Sequence, residues 1–449
     1  MQIPEFVKSV LETLEAAGYE AWCVGGCVRD ALLGRTPDDW DVTTSALPEE
    51  TLRLFDRNAI PTGLQHGTVT VRSGGRSIEV TTYRVDGEYR DHRRPESVTF
   101  TRSLEEDLKR RDFTVNAMAC SARGELRDYF GGQVDLQNRV LRCVGEPDQR
   151  FCEDALRILR GMRFAAVLGF EIDSDTADSI HRNCALLSKI AVERVWVELS
   201  KLLVGPDAVR ILREYPDVLG VFWPEIPTMV GFEQKNPHHC YDLWEHSLHA
   251  MEAVPADLVL RCSALLHDIG KQNCFTEDEE GIGHFYGHGA LSRELADAML
   301  RRLKTSNEFR ETVVRLVDWH DREIPRTERS IRRALRQLGE DEFRRLLKLK
   351  RADNLAQAPE DRCRVLEWDW AEEILEQLLA ADACFSLKQL AVNGGDMMRL
   401  GIMGRPIGVI LDTLLDDVVN GALPNERDTL LNAARGYWER SCVAEQEQL

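Results

Sequence analysis

Hydrophobic and polar positions follow two different periods along this chain, and the change of period divides it. Up to about residue 130, short β-rich runs lie between helical stretches. The clearest is TVTVRSGGRSIEVTTYR, where two alternating segments flank a Gly-Gly pair, the pattern of a β-hairpin. From about Gly145 onward apolar residues recur every three or four positions, as in EDALRILRGMRFAAVL and ERVWVELSKLL, and predict helix almost throughout. Breaks near Gly205-Pro206, Pro224 to Pro227 and Pro237 mark joints, and a last apolar helical stretch follows Phe385. The expected class is α+β, a mixed-sheet head on a long helical body.

Composition narrows the setting. A chain of 449 residues is long for one hydrophobic core and implies two to four domains. No apolar run approaches the roughly 20 residues needed to cross a bilayer, and MQIPEFVKSVLETLEAAG carries acids and no cleavage site, so the chain reads as cytoplasmic, with no membrane partner. The 12 cysteines form no CxxC pair, which argues against a disulfide framework or a zinc ribbon. A net charge of −19 runs against nucleic-acid binding, but basic residues cluster. Lys109, Arg110 and Arg111 form one group. Arg326, Arg329, Arg332, Arg333 and Arg336 recur at helical spacing, with Arg344, Arg345, Lys348, Lys350 and Arg351 beyond, either a solvated helix face or an RNA contact.

The chemistry is densest near the N-terminus, in AWCVGGCVRDALLGRTPDDWDVTTS. Gly25 and Gly26 would let backbone amides approach phosphate oxygens, and Arg29 adds charge a turn later. Asp39 and Asp41, if both lie in a strand, point to one face, because strand side chains alternate with period two. Glu79, in the second strand of the hairpin, supplies a third carboxylate, and such a set suits Mg²⁺. Taken alone, two acids after a proline are ordinary turn residues.

This region resembles the nucleotidyltransferases of the polymerase β superfamily, specifically the class II CCA-adding enzymes and bacterial poly(A) polymerases. GGCVRDALLGRTPDDWDVTT, PTGLQHGTVTV, IEVTTYR, DGEYRDHRRPESVTF, RRDFTVNAM and EDALRILRGMRFA occur in the family's order. The resemblance implies that Gly26 and Arg29 contact nucleotide and that Asp39, Asp41 and Glu79 serve the metal. It implies that Arg111 meets phosphate and that Asp112 with Asn116 reads the ribose. It assigns base selection to Asp154 and Arg157, with Glu153 orienting Arg157. By propensity EDALRILRGMR is one helix with Asp154 and Arg157 one turn apart on one face, continued by Arg160 and Arg163, an arginine stripe suited to anions or bases. Cytosine and adenine both present a ring-nitrogen acceptor beside an amino donor, so an Arg that donates and an Asp that accepts fit either. Uracil and guanine present the reverse order.

In this family the switch from C to A depends on a loop that CC-only enzymes shorten. Here DGEYRDHRRPESVTF is complete, with Arg90, Arg93 and Arg94 in it. The tail, LKQLAVNGGDMMRLGIMGRPIGVILDTLLDDVVNGALPN, resembles that of CCA-adding enzymes and is not basic like a poly(A) polymerase tail. Residues 238 to 353 resemble an HD domain: His267-Asp268 follows an apolar run, and His246, His288, His320 and Asp353 are candidate partners in a metal site, with a transition metal expected there. His238, His239, His249 and His284 match no position of that pattern. The expected layout is a nucleotidyltransferase head (1–140), a helical neck with the base-selecting helix (141–205), an HD domain (206–360) and a tRNA-binding helical tail (361–449). The expected function is CCA addition to tRNA from CTP and ATP with Mg²⁺. The alternatives are A-only or poly(A) addition, or an HD phosphohydrolase whose N-terminal half binds nucleotide. The sequence specifies no oligomeric state.

Overall fold

The β-rich runs of the first 130 residues assemble into one seven-stranded sheet. The computed structural model describes residues 2–87, 97–381 and 383–446. The strands are β1 (Ala21–Val24), β2 (Asp41–Thr44), β3 (Ala59–Gly63), β4 (Thr68–Ser73), β5 (Arg76–Thr82), β6 (Arg84–Asp86), β7 (Val98–Phe100), β8 (Met118–Cys120) and β9 (Leu126–Asp128). The sheet runs β3-β4-β5-β2-β1-β8-β9, while β6 and β7 form a separate ladder. Every pair in the sheet is antiparallel except β2 with β5, whose parallel register sets Asp41 opposite Glu79. The predicted hairpin is β4–β5, closed by Gly74 and Gly75 with φ of 55° and 76°. Two positive φ values in a row are what a two-residue hairpin turn requires and what side chains resist. Along the hairpin Val69, Val71, Ile78 and Val80 are buried while Glu79 stays exposed, the period-two division of one core face and one open face. Arg90, Arg93 and Arg94 lie outside the described residues.

Two sequence expectations fail locally. Asp39 is not in a strand with Asp41; it sits in a bend, and β2 begins at Asp41. Nor is 153–163 one helix. A helix over Pro147–Glu153 ends there, Asp154 is extended at φ −137°, and a second helix covers Leu156–Leu168. The Asp154 carboxylate accepts the Leu156 N–H at 3.1 Å and its carbonyl accepts the Arg157 N–H, so Asp154 caps the second helix.

Two compact units divide the chain. The first runs to Pro227 and takes in Arg301–Thr305; the second comprises Thr228–Leu300 and everything from Ser306. The boundary coincides with the Pro224 to Pro227 break. The second unit is helical, with helices over Leu243–Ala253, Leu258–Leu266, His288–Arg302, Asn307–His320, Glu328–Leu355 and Val365–Ala380, then Arg405–Val419 and Arg427–Gln446. The Arg-rich run falls on the 28-residue helix Glu328–Leu355. Its arginines are engaged within the unit: Arg329 and Arg333 donate to Asn420, Arg336 to Asp416, Arg344 to Glu340 and Glu376, and Arg351 to Asp369 and Glu372. These bonds fasten the helix to its neighbours, so the clustering first read as a solvated face or an RNA contact has a structural use. Among the described residues every cysteine is free, and no helix is long and apolar enough to cross a membrane.

Candidate functional site

The first unit holds its candidate site where the end of β1 lies beside the start of β2, itself paired with β5, and Arg160 of the Leu156–Leu168 helix reaches Asp112 behind it. Gly25 ends β1 at φ 79°, and a Cβ there would lie 3.1 Å from an Arg111 guanidinium nitrogen and 4.0 Å from Asp41 Oδ2. A side chain would therefore displace the groups that face this corner. Asp41 and Glu79 project from the open face at one register level, and Asp39 lies just before β2; all three are exposed. Desolvation raises the Asp41 pKa even though part of its side chain reaches solvent. Arg111 opposes that shift, and the carboxylates of Glu79 and Asp39 add to it. Mutually repelling carboxylates at an open edge fit a hard divalent cation, which would remove the repulsion.

Behind this edge the polar residues satisfy one another. Arg29 is buried; its guanidinium grips Asp30 through two 2.9 Å bonds and donates to Asn116 Oδ1 at 2.7 Å. Asn116 donates to Asp112 at 3.1 Å, and Arg160 donates to the other Asp112 oxygen at 2.9 and 2.6 Å. Burial works against the Asp112 charge, but Arg160 and the hydrogen bonds from Arg160 and Asn116 outweigh it and hold the carboxyl down at about 2. The Phe164 ring lies under three guanidinium groups, those of Arg29, Arg160 and Arg163, at 5.0, 5.4 and 4.0 Å from its centroid.

The arginine stripe expected to await anions is paired within the protein. Arg157 is held at Glu153 (2.8 Å) and at the carbonyls of Arg150 (3.2 Å) and Arg110 (2.9 Å); Arg160 meets Asp112; Arg163 meets Glu198 at 2.7 Å. Asp154 is half-buried, with Arg194 3.6 Å away. The sequence reading missed two supports. Asp107, fully buried, accepts from Thr43 and Arg110 and lies 3.6 Å from Arg111, so it anchors two of the three residues read as one basic group. Arg150 bonds Glu153 and the Lys109 carbonyl. Their spacing to Arg110, Arg111 and Glu153 was visible, but it reads like any surface i,i+3 or i,i+4 pair.

The second unit brings His246, His267, Asp268, His288, His320 and Asp353 together, four helices and a loop contributing. The ligand atoms of His246, His267, Asp268 and Asp353 lie within 4.8 Å of one another, as do those of Asp268, His288 and His320. Burial opposes both charges, yet the surrounding imidazoles hold Asp268 and Asp353 well below the usual carboxylate range, with Lys271 assisting at Asp268. The carboxylates in turn lift His267 to about 10 despite its burial. Two histidines outside the HD pattern also border this cluster. His239, held down to about 3 by burial and by Lys271, packs against His246, and His284 lines the same cavity. His238 instead pairs with Asp361, and His249 stacks on Tyr241.

Comparison with known proteins agrees along the whole chain. Residues 21–142 match the poly(A) polymerase head domain, 169–217 a probable RNA and SrmB-binding site of polymerase A, and 274–434 a putative tRNA nucleotidyltransferase domain 2. The chain is 37% identical to the CCA-adding enzyme of Lactiplantibacillus plantarum, covering 95% of each, and 39% identical to that of Streptococcus gordonii, covering 94% of each. Its fold superposes on the crystal structure of the Bacillus stearothermophilus CCA-adding enzyme in complex with CTP, with a TM-score of 0.73, 31% identity and full coverage of both chains.

Proposed function

Because this chain belongs to the CCA-adding enzyme family, we propose that it completes tRNA 3′ ends by adding C, C and A from CTP and ATP without a nucleic-acid template. In each step the acceptor 3′ hydroxyl attacks the α-phosphorus of the triphosphate, the bond to the bridging oxygen breaks, and pyrophosphate leaves. Asp39, Asp41 and Glu79 would hold Mg²⁺, which supplies charge neutralisation for the attacking and leaving oxygens. Gly25 and Gly26 keep the corner open for the triphosphate, and Arg111, braced by Asp107, faces it. Asp112 and Asn116 meet the ribose. The Arg29–Asn116–Asp112–Arg160 chain, with the Phe164 ring against Arg29 and Arg160, fixes them before substrate arrives.

The observation that carries base selection is the tethering of Arg157. Held by Glu153 and two backbone carbonyls, its guanidinium cannot swing to suit a wrong base. With Asp154 it offers donors and an acceptor that fit cytosine and adenine, while uracil or guanine would leave buried polar groups unpaired at about 1–3 kcal/mol each. We assign residues 1–140 to the head, 141–205 to the neck, 206–360 to an HD domain whose six clustered ligands form a second metal centre, and 361–449 to a tRNA-binding tail. Cysteines left unpaired among the described residues are in keeping with work in the reducing cytoplasm.

The test is extension of three tRNA transcripts, ending before CCA, after C and after CC, with CTP, ATP or both. Wild type should add up to CCA and stop, and Asp39→Ala/Asp41→Ala should add nothing. Unlimited A addition, or addition of A alone, would overturn the reading.

A further inference from the structure

The arginines of the Glu328–Leu355 helix are not all answered by acids. Arg332 faces Glu328, Arg336 faces Asp412 and Asp416, and Arg344, Arg345 and Arg351 each face a carboxylate as well. Arg329 and Arg333 pair with no carboxylate among the described residues. Each instead gives its Nε–H to one neutral acceptor, the Oδ1 of Asn420, at 3.0 and 2.7 Å. Acids stand next to them in the chain and are taken up elsewhere: Glu328 by Arg332 and Asp416 by Arg336.

The two arginines are four residues apart on one helix face, where like charges repel. An amide oxygen has lone pairs for both N–H groups, but it brings no net charge to set against two guanidinium ions. Their Nη1 and Nη2 donors make no hydrogen bond among the described residues. Both side chains are exposed, and both line a cavity of about 230 Å³ with Pro325, Thr327 and Ser330. Open space adjoins each on a further side, about 510 Å³ bordered by Arg333 and Asn420 and about 720 Å³ bordered by Arg329 and Asn420. The shared cavity has one acid in its wall, Glu323, so two cations against one anion leave a single positive charge. That matches the single negative charge of a phosphodiester better than the dianion of a free terminal phosphate. The planar guanidinium forks suit its two non-bridging oxygens.

We propose that Arg329 and Arg333 clamp one backbone phosphate of the RNA acceptor, one guanidinium at each non-bridging oxygen, with Asn420 holding the pair at its spacing. The RNA is the tRNA proposed above, and the clamp depends on that reading. The arginines belong to the stretch assigned to the HD domain and Asn420 to the stretch assigned to the tail, so a phosphate held here ties the two together. A backbone contact carries no sequence information, which suits an enzyme whose acceptors differ in sequence.

The experiment is ethylation interference on end-labelled tRNA lacking CCA, bound to the full chain. At least one phosphate whose ethylation blocks wild-type binding should cease to matter in Arg329→Gln/Arg333→Gln, and Kd should rise about tenfold. Arg329→Lys/Arg333→Lys keeps both charges and should bring that position back. Asn420→Asp leaves the arginines in place and supplies their acid from within. It should weaken binding about as much and silence the same phosphate, while the urea midpoint of the second unit holds or rises. A merely structural role predicts firmer fastening with unchanged affinity. Should the Gln variant fail to fold by circular dichroism, Asn420→Asp decides alone. Wild-type affinity and interference in a folded Gln or Asp variant overturn the clamp and leave the tRNA reading standing; a wild-type chain that binds no tRNA overturns both.

Discussion

The two polar centres of this protein are built on opposite rules. In the first unit the polar groups pair donor to acceptor, so that Asp30, Arg29, Asn116, Asp112 and Arg160 each find a partner in the next. In the second unit like faces like: imidazole nitrogens meet across 3.1 and 3.3 Å with a carboxylate between them. A site for an organic ligand can be complete beforehand, because hydrogen-bonding groups can hold one another in place until substrate comes. A site for cations lacks its positive component by design. Its repulsion is the mark of what it binds.

The largest test of this contrast is Asp112→Asn. It leaves Arg160 without its anion, and breaking a buried pair costs about 3–5 kcal/mol. Arg160 keeps 35% of its side chain in water, which puts the expected loss near about 3 kcal/mol, read from urea unfolding of the first unit. A loss below about 1 kcal/mol would mean that the network is not mutually supporting. Next comes metal. Mn²⁺ at a hundredfold over its dissociation constant should stabilise the second unit by about 2.7 kcal/mol, and chelation should reverse the gain. In Asp39→Ala/Asp41→Ala, whose first unit lacks its own cation ligands, calorimetry should show the first unit's transition unmoved; a shift of both would erase the distinction.

Acid should act on the first unit through Asp112. Its folded pKa of about 2 lies below the ordinary 3.8, so the folded state favours the charged form. That contribution, about 2 kcal/mol, is fully present above pH 3.8 and is lost as pH falls through 2. Stability measured from pH 5 to 2 should therefore fall more in wild type than in Asp112→Asn, and equal slopes would contradict the assignment. The smallest effect concerns Glu153→Gln, which removes the charge tethering Arg157. Discrimination of CTP against UTP should drop about tenfold, or 1.4 kcal/mol, chiefly in kcat/KM. Unchanged discrimination would make Glu153 a packing residue.

What could be read from the sequence followed the range of the interactions. The hairpin was legible because Gly74-Gly75 and the flanking alternation are local. The second unit's cluster of candidate ligands was legible because His267-Asp268 is a contiguous mark. The break at Asp154 was not, since Ala155, Leu156 and Arg157 all favour helix and the interruption comes from one carboxylate capping the Leu156 amide. Asp39 looked like a strand residue because period two says nothing about where a strand starts. The roles of Asp107 and Arg150 depend on Thr43 and on the Lys109 carbonyl, partners distant in sequence that no local pattern announces.

The internally paired arginines of the Glu328–Leu355 helix have a consequence for how this protein meets RNA. A guanidinium already facing aspartate or glutamate displaces few condensed cations when a phosphate approaches. With a net charge of −19 around it, that surface should give a shallow slope of log affinity against log salt. Attachment would then rest on fit rather than on ionic attraction, and a finished product could depart quickly even at low ionic strength.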